Sequence, residues 1–133
     1  MYVCPVCSED PSSHSFKKIR DGLFYTKPAE ATRYWDRDGI CAHYDGVLNE
    51  VEGEWSWIFD AEGFTLKHIL EVDVAISLAQ LITTKYSHNL KKISIINPNW
   101  YVKVIMSLIF PFLSEKVINL CTQSAPPSRT SES

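Results

Sequence analysis

Two thiols spaced as Cys4-Pro-Val-Cys7 are the most reactive pattern in the chain. That spacing is half of a zinc site, and Cys41 with His43 could supply the other half if the fold brought the pairs together. Two incidental thiols in a loose terminal segment are the plainer account, so no metal is expected. A thioredoxin-type redox pair is disfavoured because no strand–helix unit encloses it. The histidines His14, His43, His68 and His88 are scattered, and none lies in a nucleophile or metal motif. Glu50, Glu52 and Glu54 alternate as on one strand face, which reads as a solvated edge rather than as paired catalytic carboxylates. Asp60 needs only a turn-forming role beside Gly63. No glycine loop that could cradle a phosphate follows any strand, so neither a nucleotide cofactor nor an enzyme is expected.

The cations suggest different chemistry. Lys91, Lys92 and Lys116 each fall at the end of a predicted strand and could share one rim of a sheet, where they are candidates for a phosphate or lipid-headgroup contact. Near an anionic membrane each would contribute on the order of 1 kcal/mol. Residues 1–64 hold 6 basic and 12 acidic side chains, whereas residues 65–133 hold 7 and 4. The second half is therefore mildly basic, which suits a peripheral membrane contact but is far too weak for nucleic acid.

The positions of these groups depend on a series of apolar elements. The chain has 133 residues, 45% of them hydrophobic, and a net charge of −3, which is the composition of one globular domain. It holds no apolar run long enough to span a bilayer, and its start lacks the features of a secretory signal, so a cytoplasmic setting with reduced thiols is expected. Residues 1–19 read as an irregular N-terminal segment and residues 122–133, rich in Ser and Pro, as a disordered tail. Asp36-Arg37-Asp38-Gly39 reads as a turn, residues 40–44 as a short strand and residues 47–52 as a loose loop. Residues 54–60 are an aromatic, β-branched strand. Over residues 65–86 the pattern becomes helical, with Asp73, Ser77, Gln80 and Thr84 marking the solvent stripe. Ile93-Ser94-Ile95-Ile96, closed by Asn97-Pro98, reads as a central parallel strand. Asn99 then caps a very apolar helix through Ile109 that Pro111 must end, and residues 117–121 read as a third strand. The fold class is α/β: a mixed, mainly parallel sheet floor with a β-α-β-α-β core and covering helices.

Four joints carry a resemblance. Asp60-Ala61-Glu62-Gly63, Leu90-Lys91-Lys92-Ile93-Ser94-Ile95-Ile96-Asn97, Pro111-Phe112-Leu113-Ser114-Glu115-Lys116 and, more weakly, Asp36-Arg37-Asp38-Gly39 resemble the joints of the CRAL-TRIO (Sec14-like) lipid-binding family. The resemblance covers residues 20–121. Asn97-Pro98-Asn99-Trp100-Tyr101 is also similar to the family's divergent branch that binds small-GTPase regulators. The resemblance implies an apolar cavity between sheet and helices that holds one lipid or isoprenoid-like molecule. Lys116 sits where the tocopherol-transfer branch has a lysine that meets a phosphoinositide headgroup, but Leu120 and Asn89 replace that branch's basic partners. The resemblance implies that the helix between the family's first two strands is reduced here to residues 47–52. No counterpart of the family's N-terminal helical module is expected, and its further helices, including a gate, would lie beyond the point where this chain turns into its tail. An incomplete, open cavity is therefore expected.

Phe59, Leu78, Ile82, Tyr101, Ile105, Met106 and Ile109 are the candidate cavity residues. Met106 suits an adaptable lining because it is flexible and polarizable. Val102, Val104 and Leu108 cover the other sides of the same helix, so one side needs a partner other than the sheet. The expected function is non-enzymatic binding, or transfer between membranes, of a phospholipid or isoprenoid-like ligand. The alternative is a lipid-free protein-interaction module that engages a small-GTPase regulator or another protein partner.

Overall fold

A computed structural model describes residues 4–10 and 12–124. Phe16–Arg20 (β1) and Leu23–Thr26 (β2) form an antiparallel hairpin around Asp21-Gly22. Gly22 has φ +79°, and a side chain there would meet the Glu54 carbonyl at 2.9 Å, so the turn fits closely against the chain entering Trp55–Asp60 (β3). Strand β2 pairs parallel with β3, β3 with Leu90–Ile96 (β4), and β4 with Cys121–Ser124 (β5), giving the order β1-β2-β3-β4-β5. This is the mixed, mainly parallel α/β sheet that the sequence implies.

Arg37–Leu48 (α2) connects β2 to β3, Leu66–Ile69 (α3) and Val72–Leu81 (α4) connect β3 to β4, and Trp100–Ile109 (α5) with Glu115–Leu120 (α6) connect β4 to β5. Each crossover steps one strand over in the same direction. Right-handed connections therefore stack their helices on one face of the sheet, where α4 packs against both α2 and α5. The core lies between these two layers. Phe24, Trp55, Trp57, Ile93 and Ile95 face Tyr44, Leu48, Val74, Ile82, Val102 and Ile105.

Six local expectations change. Residues 40–44 are helical, because Asp36 ends a loop rather than starting a turn: its Oδ1 accepts the Gly39 amide at 3.1 Å and caps α2. Ile40, His43, Tyr44 and Leu48 then recur at helical spacing on the buried side. The crossover helix is thus 12 residues long rather than a remnant at 47–52. Residues 117–120 are also helical, since Ser114 caps α6 by accepting the Val117 amide at 3.2 Å. The final strand starts only at Cys121 and runs to Ser124, into the segment assigned to the tail; residues 125–133 lie outside the described residues.

The N-terminal segment is not wholly irregular. It holds a short helix, Pro5–Glu9 (α1), and the start of β1, drawn in by buried Phe16, which stacks on Phe24 and Tyr44. Finally, the helix expected over 65–86 breaks at Leu70-Glu71 and widens to a π turn over Ile82–Tyr86.

Candidate ligand-binding site

An apolar cavity of about 90 Å³ lies between the sheet and the helical layer. Its floor is Trp57 and Phe59 of β3 with Ile93 and Ile95 of β4; Ala75, Leu78 and Ala79 of α4, with Ile82, form one wall. Val102, Ile105, Met106 and Ile109 of α5 form the opposite wall, and Leu113, Val117 and Cys121 close the far side. Strand alternation supplies the floor, because residues two apart point to the same face. Asn99 sets the position of the α5 wall. Its Oδ1 accepts the Val102 amide at 3.0 Å, while its Nδ2 donates to the Ala61 and Phe64 carbonyls, both at 3.1 Å. The helix start is thereby tied to the turn that follows β3.

The lining is almost entirely carbon. The Trp57 indole N–H donates to Thr26 Oγ1 at 2.9 Å, and the Cys121 thiol donates to the Val117 carbonyl at 3.4 Å. Among the described lining residues Tyr34 alone carries a side-chain oxygen, and burial, helped by Glu71, pushes its phenol far above the ordinary range. An unfilled space of this size forgoes roughly 2 kcal/mol of packing, at about 24 cal/mol per Å³.

Of the seven candidate cavity residues, Phe59, Leu78, Ile82, Ile105, Met106 and Ile109 line this space. Tyr101 does not, although it packs half-buried at the core's edge. The inward face of α5 runs through Val102, Ile105, Met106 and Ile109, one position round from the face that includes Tyr101. Trp57, Ile93 and Ile95 went unrecognised as lining residues, although their alternation with Phe59 and with each other was a visible signal.

At the outer end of α5, side chains alternate between cavity and solvent. Ile109 and Leu113 line the cavity, whereas Leu108, Phe110 and Phe112 are 46%, 43% and 37% exposed. Pro111 closes the α-helix into a 3-10 turn over Phe110–Phe112.

The three lysines are all exposed, but they do not form one rim. Lys116 lies in the first turn of α6, its Nζ 3.5 Å from the His88 carbonyl, and so lies near the start of β4 where Lys91 sits. Lys91 is the extra residue of a bulge opposite Trp55 and Ser56. Lys92 alternates with Ile93 and emerges on the sheet face away from the cavity.

The polar candidates sort as follows. Glu50, Glu52 and Glu54 are exposed in the loop before β3. His68 is buried and its Nδ1 accepts the Thr65 amide at 3.0 Å, a capping role at α3. Asp60 is buried at the end of β3 and accepts three hydrogen bonds. Cys4, Cys7 and His43 come together with His14, and Cys41 is not part of that group. The reason is the strand-to-helix change in residues 40–44: on a strand Cys41 and His43 would share a face, but on α2 two residues turn by about 200°. Burial pushes the Cys7 thiol up to about 11; burial and the neighbouring His14 push His43 down to about 4.

Among the described residues no helix is long and apolar enough to cross a membrane. Compared with curated proteins, the chain has no match. The family model for the CRAL/TRIO domain, however, matches residues 30–122, from the loop before α2 into β5, and so spans the cavity and well over half of the chain. The apolar site between sheet and helices is thus found in a chain that belongs to the CRAL/TRIO domain family.

Proposed function

We propose that this domain binds a small hydrophobic ligand, a phospholipid or isoprenoid-like lipid, between the sheet and helices α4 and α5, and that it delivers the ligand at membranes. The observation that carries this reading is the cavity's carbon lining, whose residues Ile109 and Leu113 flank the exposed Phe110 and Phe112 in the chain. An apolar lining favours any ligand that leaves water, and residues on the same turn then offer a membrane contact. Ligand sites of drug size hold about 300–1,000 Å³, so the ligand enters by displacing α5 and its 3-10 turn outward. Pro111 permits this by breaking the helix that would otherwise brace it. Lys116 and Lys91 would meet an anionic headgroup near the start of β4. Nothing in this reading requires a catalytic step.

Native mass spectrometry and solvent extraction of the purified chain test the proposal. The expected result is a stoichiometric lipid. A folded, monodisperse protein that is empty and neither binds vesicles nor moves lipid between them overturns it.

A second reading, a protein-interaction module of the kind that engages a small-GTPase regulator, is supported by a different patch. Leu66 on α3, Leu70 at its C-terminal cap and Trp100 on the neighbouring α5 are 56%, 72% and 68% exposed. A monomer that carries lipid and retains no protein partner through purification decides against it.

A further inference from the structure

We infer that Cys4, Cys7, His14 and His43 form a four-coordinate Cys2His2 site for a single zinc-class ion, which fastens the N-terminal segment to helix α2. The ligand atoms of all four lie within 4.8 Å of one another. Cys4 Sγ is 3.5 Å and Cys7 Sγ 3.4 Å from His14 Nδ1; Cys7 Sγ is 3.3 Å and His14 Nδ1 3.4 Å from His43 Nδ1. A tetrahedral zinc ion, about 2.3 Å from sulfur and about 2.05 Å from nitrogen, sets S···N edges near ~3.5 Å and N···N edges near ~3.3 Å. These four edges match that tetrahedron. A two-iron cluster would hold its two ligand pairs farther apart than this.

Thiol hydrogen bonds from Cys4 to His14 Nδ1 and from Cys7 to His43 Nδ1 would pair the four groups, but they leave the two Nδ1 atoms facing each other at 3.4 Å. His14 Nε2 lies 2.9 Å from Asp36 Oδ2, and a carboxylate only accepts, so the Nε2 proton is the one donated. His14 Nδ1 then presents a lone pair to two sulfurs and a second imidazole nitrogen at once. A positive ion at the centre turns that facing of lone pairs into ligation and uses all four groups at once. The Asp36–His14 pair is the carboxylate–histidine arrangement that orients metal-bound imidazoles, and the other carboxylate oxygen of Asp36 caps the helix that carries His43. Gly39 is needed for this, since a Cβ there would fall 2.0 Å from Asp36 Oδ2.

The frame is built by the chain rather than by chance proximity. Pro5 starts α1, so Cys4 and Cys7 lie three residues apart on one side of its first turn. The Ser13 carbonyl accepts the Arg33 amide at 2.9 Å, and the hydroxyl of Ser15, which has φ +51°, accepts the Lys27 amide at 3.1 Å. His14 is held between them. Cys4, His14 and His43 are buried. Four protein ligands leave no open position, so the site is structural and independent of the proposed lipid cavity.

The test uses the full chain, produced reduced with zinc in the medium, by elemental analysis and by Co2+ substitution. One zinc per chain that survives gel filtration, and a Co2+ form with thiolate charge-transfer and tetrahedral visible bands, support the site. Cys41→Ser should keep the ion, His14→Ala and Cys7→Ser should lose it, and Asp36→Asn should weaken affinity by roughly 10–100-fold. If the ligand variants fail to fold, the zinc content and Co2+ spectrum of the unaltered chain decide alone. A zinc-dialysed chain without bound metal, an octahedral Co2+ spectrum, a Cys4–Cys7 disulfide in its place, or a Cys41→Ser variant that loses the ion overturns the inference.

Discussion

The phenol of Tyr25 donates to Asp60 Oδ2 across 2.5 Å, joining β2 to the end of β3 on the face away from the cavity. Asp60 Oδ1 accepts from Asn97 Nδ2 and from the Glu62 amide, both at 3.0 Å, so one carboxylate gathers two strand ends and two turns. Asn97 itself has φ +51°, a conformation that asparagine tolerates better than most residues.

That carboxylate predicts an acid-sensitive joint. Burial pushes Asp60 up, but the bonds from Asn97, Tyr25 and the Glu62 amide outweigh it and hold the group below the ordinary carboxylate value. A depressed folded pKa gives stability that is complete above the unfolded value of about 3.9 and is lost as the pH falls through the lower folded value. Asp60→Asn should cost about 2 kcal/mol near neutrality and flatten this acid limb. Urea unfolding at a series of pH values from neutral to acid reads both effects. A variant whose acid limb stays as steep as that of the parent chain would show that other groups drive the acid transition.

Thr26 predicts a larger loss from a single oxygen. Its hydroxyl accepts from the Trp57 indole at 2.9 Å and pairs with the Tyr44 hydroxyl at 2.8 Å, and all three residues are buried. Thr26→Val keeps the shape but leaves two polar groups unpaired, for roughly 2–4 kcal/mol. Chemical denaturation of the variant measures it.

Ala75 and Ala79 keep the α4 wall of the cavity small. Ala75→Leu should fill the space, raise stability by about 1 kcal/mol and remove bound lipid. Thermal melts paired with native mass spectrometry separate the two consequences. Unchanged lipid occupancy would place the ligand elsewhere.

Phe110 and Phe112 should act at the membrane as well as in the fold. The double change to serine is expected to cost roughly 2–4 kcal/mol, because the side chains are only 43% and 37% exposed. It should lower vesicle binding roughly tenfold or more by removing two aromatic insertions. Flotation with neutral vesicles checks this.

Lys116→Glu should act on charge alone. Binding to anionic vesicles should fall roughly five- to tenfold, with neutral vesicles unaffected. Equal binding of variant and parent to anionic vesicles retires the headgroup role.

The sequence by itself determined the elements whose pattern has one interpretation. The strands containing Trp57 and Ile93, the Asn99-capped helix and its stop at Pro111 follow from alternation, helical spacing and proline geometry. Those elements and their joints also carried the family, whose model matches residues 30–122. Tertiary structure decided the short ambiguous runs. Residues 40–44 are apolar enough for either state, and only the cap from Asp36 and the packing of Tyr44 on Phe16 make them helical. That choice turns Cys41 away from His43, and the backbone bonds of Ser13 and Ser15 bring in His14, which no local pattern marks. A four-residue cluster drawn from positions 4 to 43 depends on chain paths through space, and spacing in one dimension records only its nearest pair.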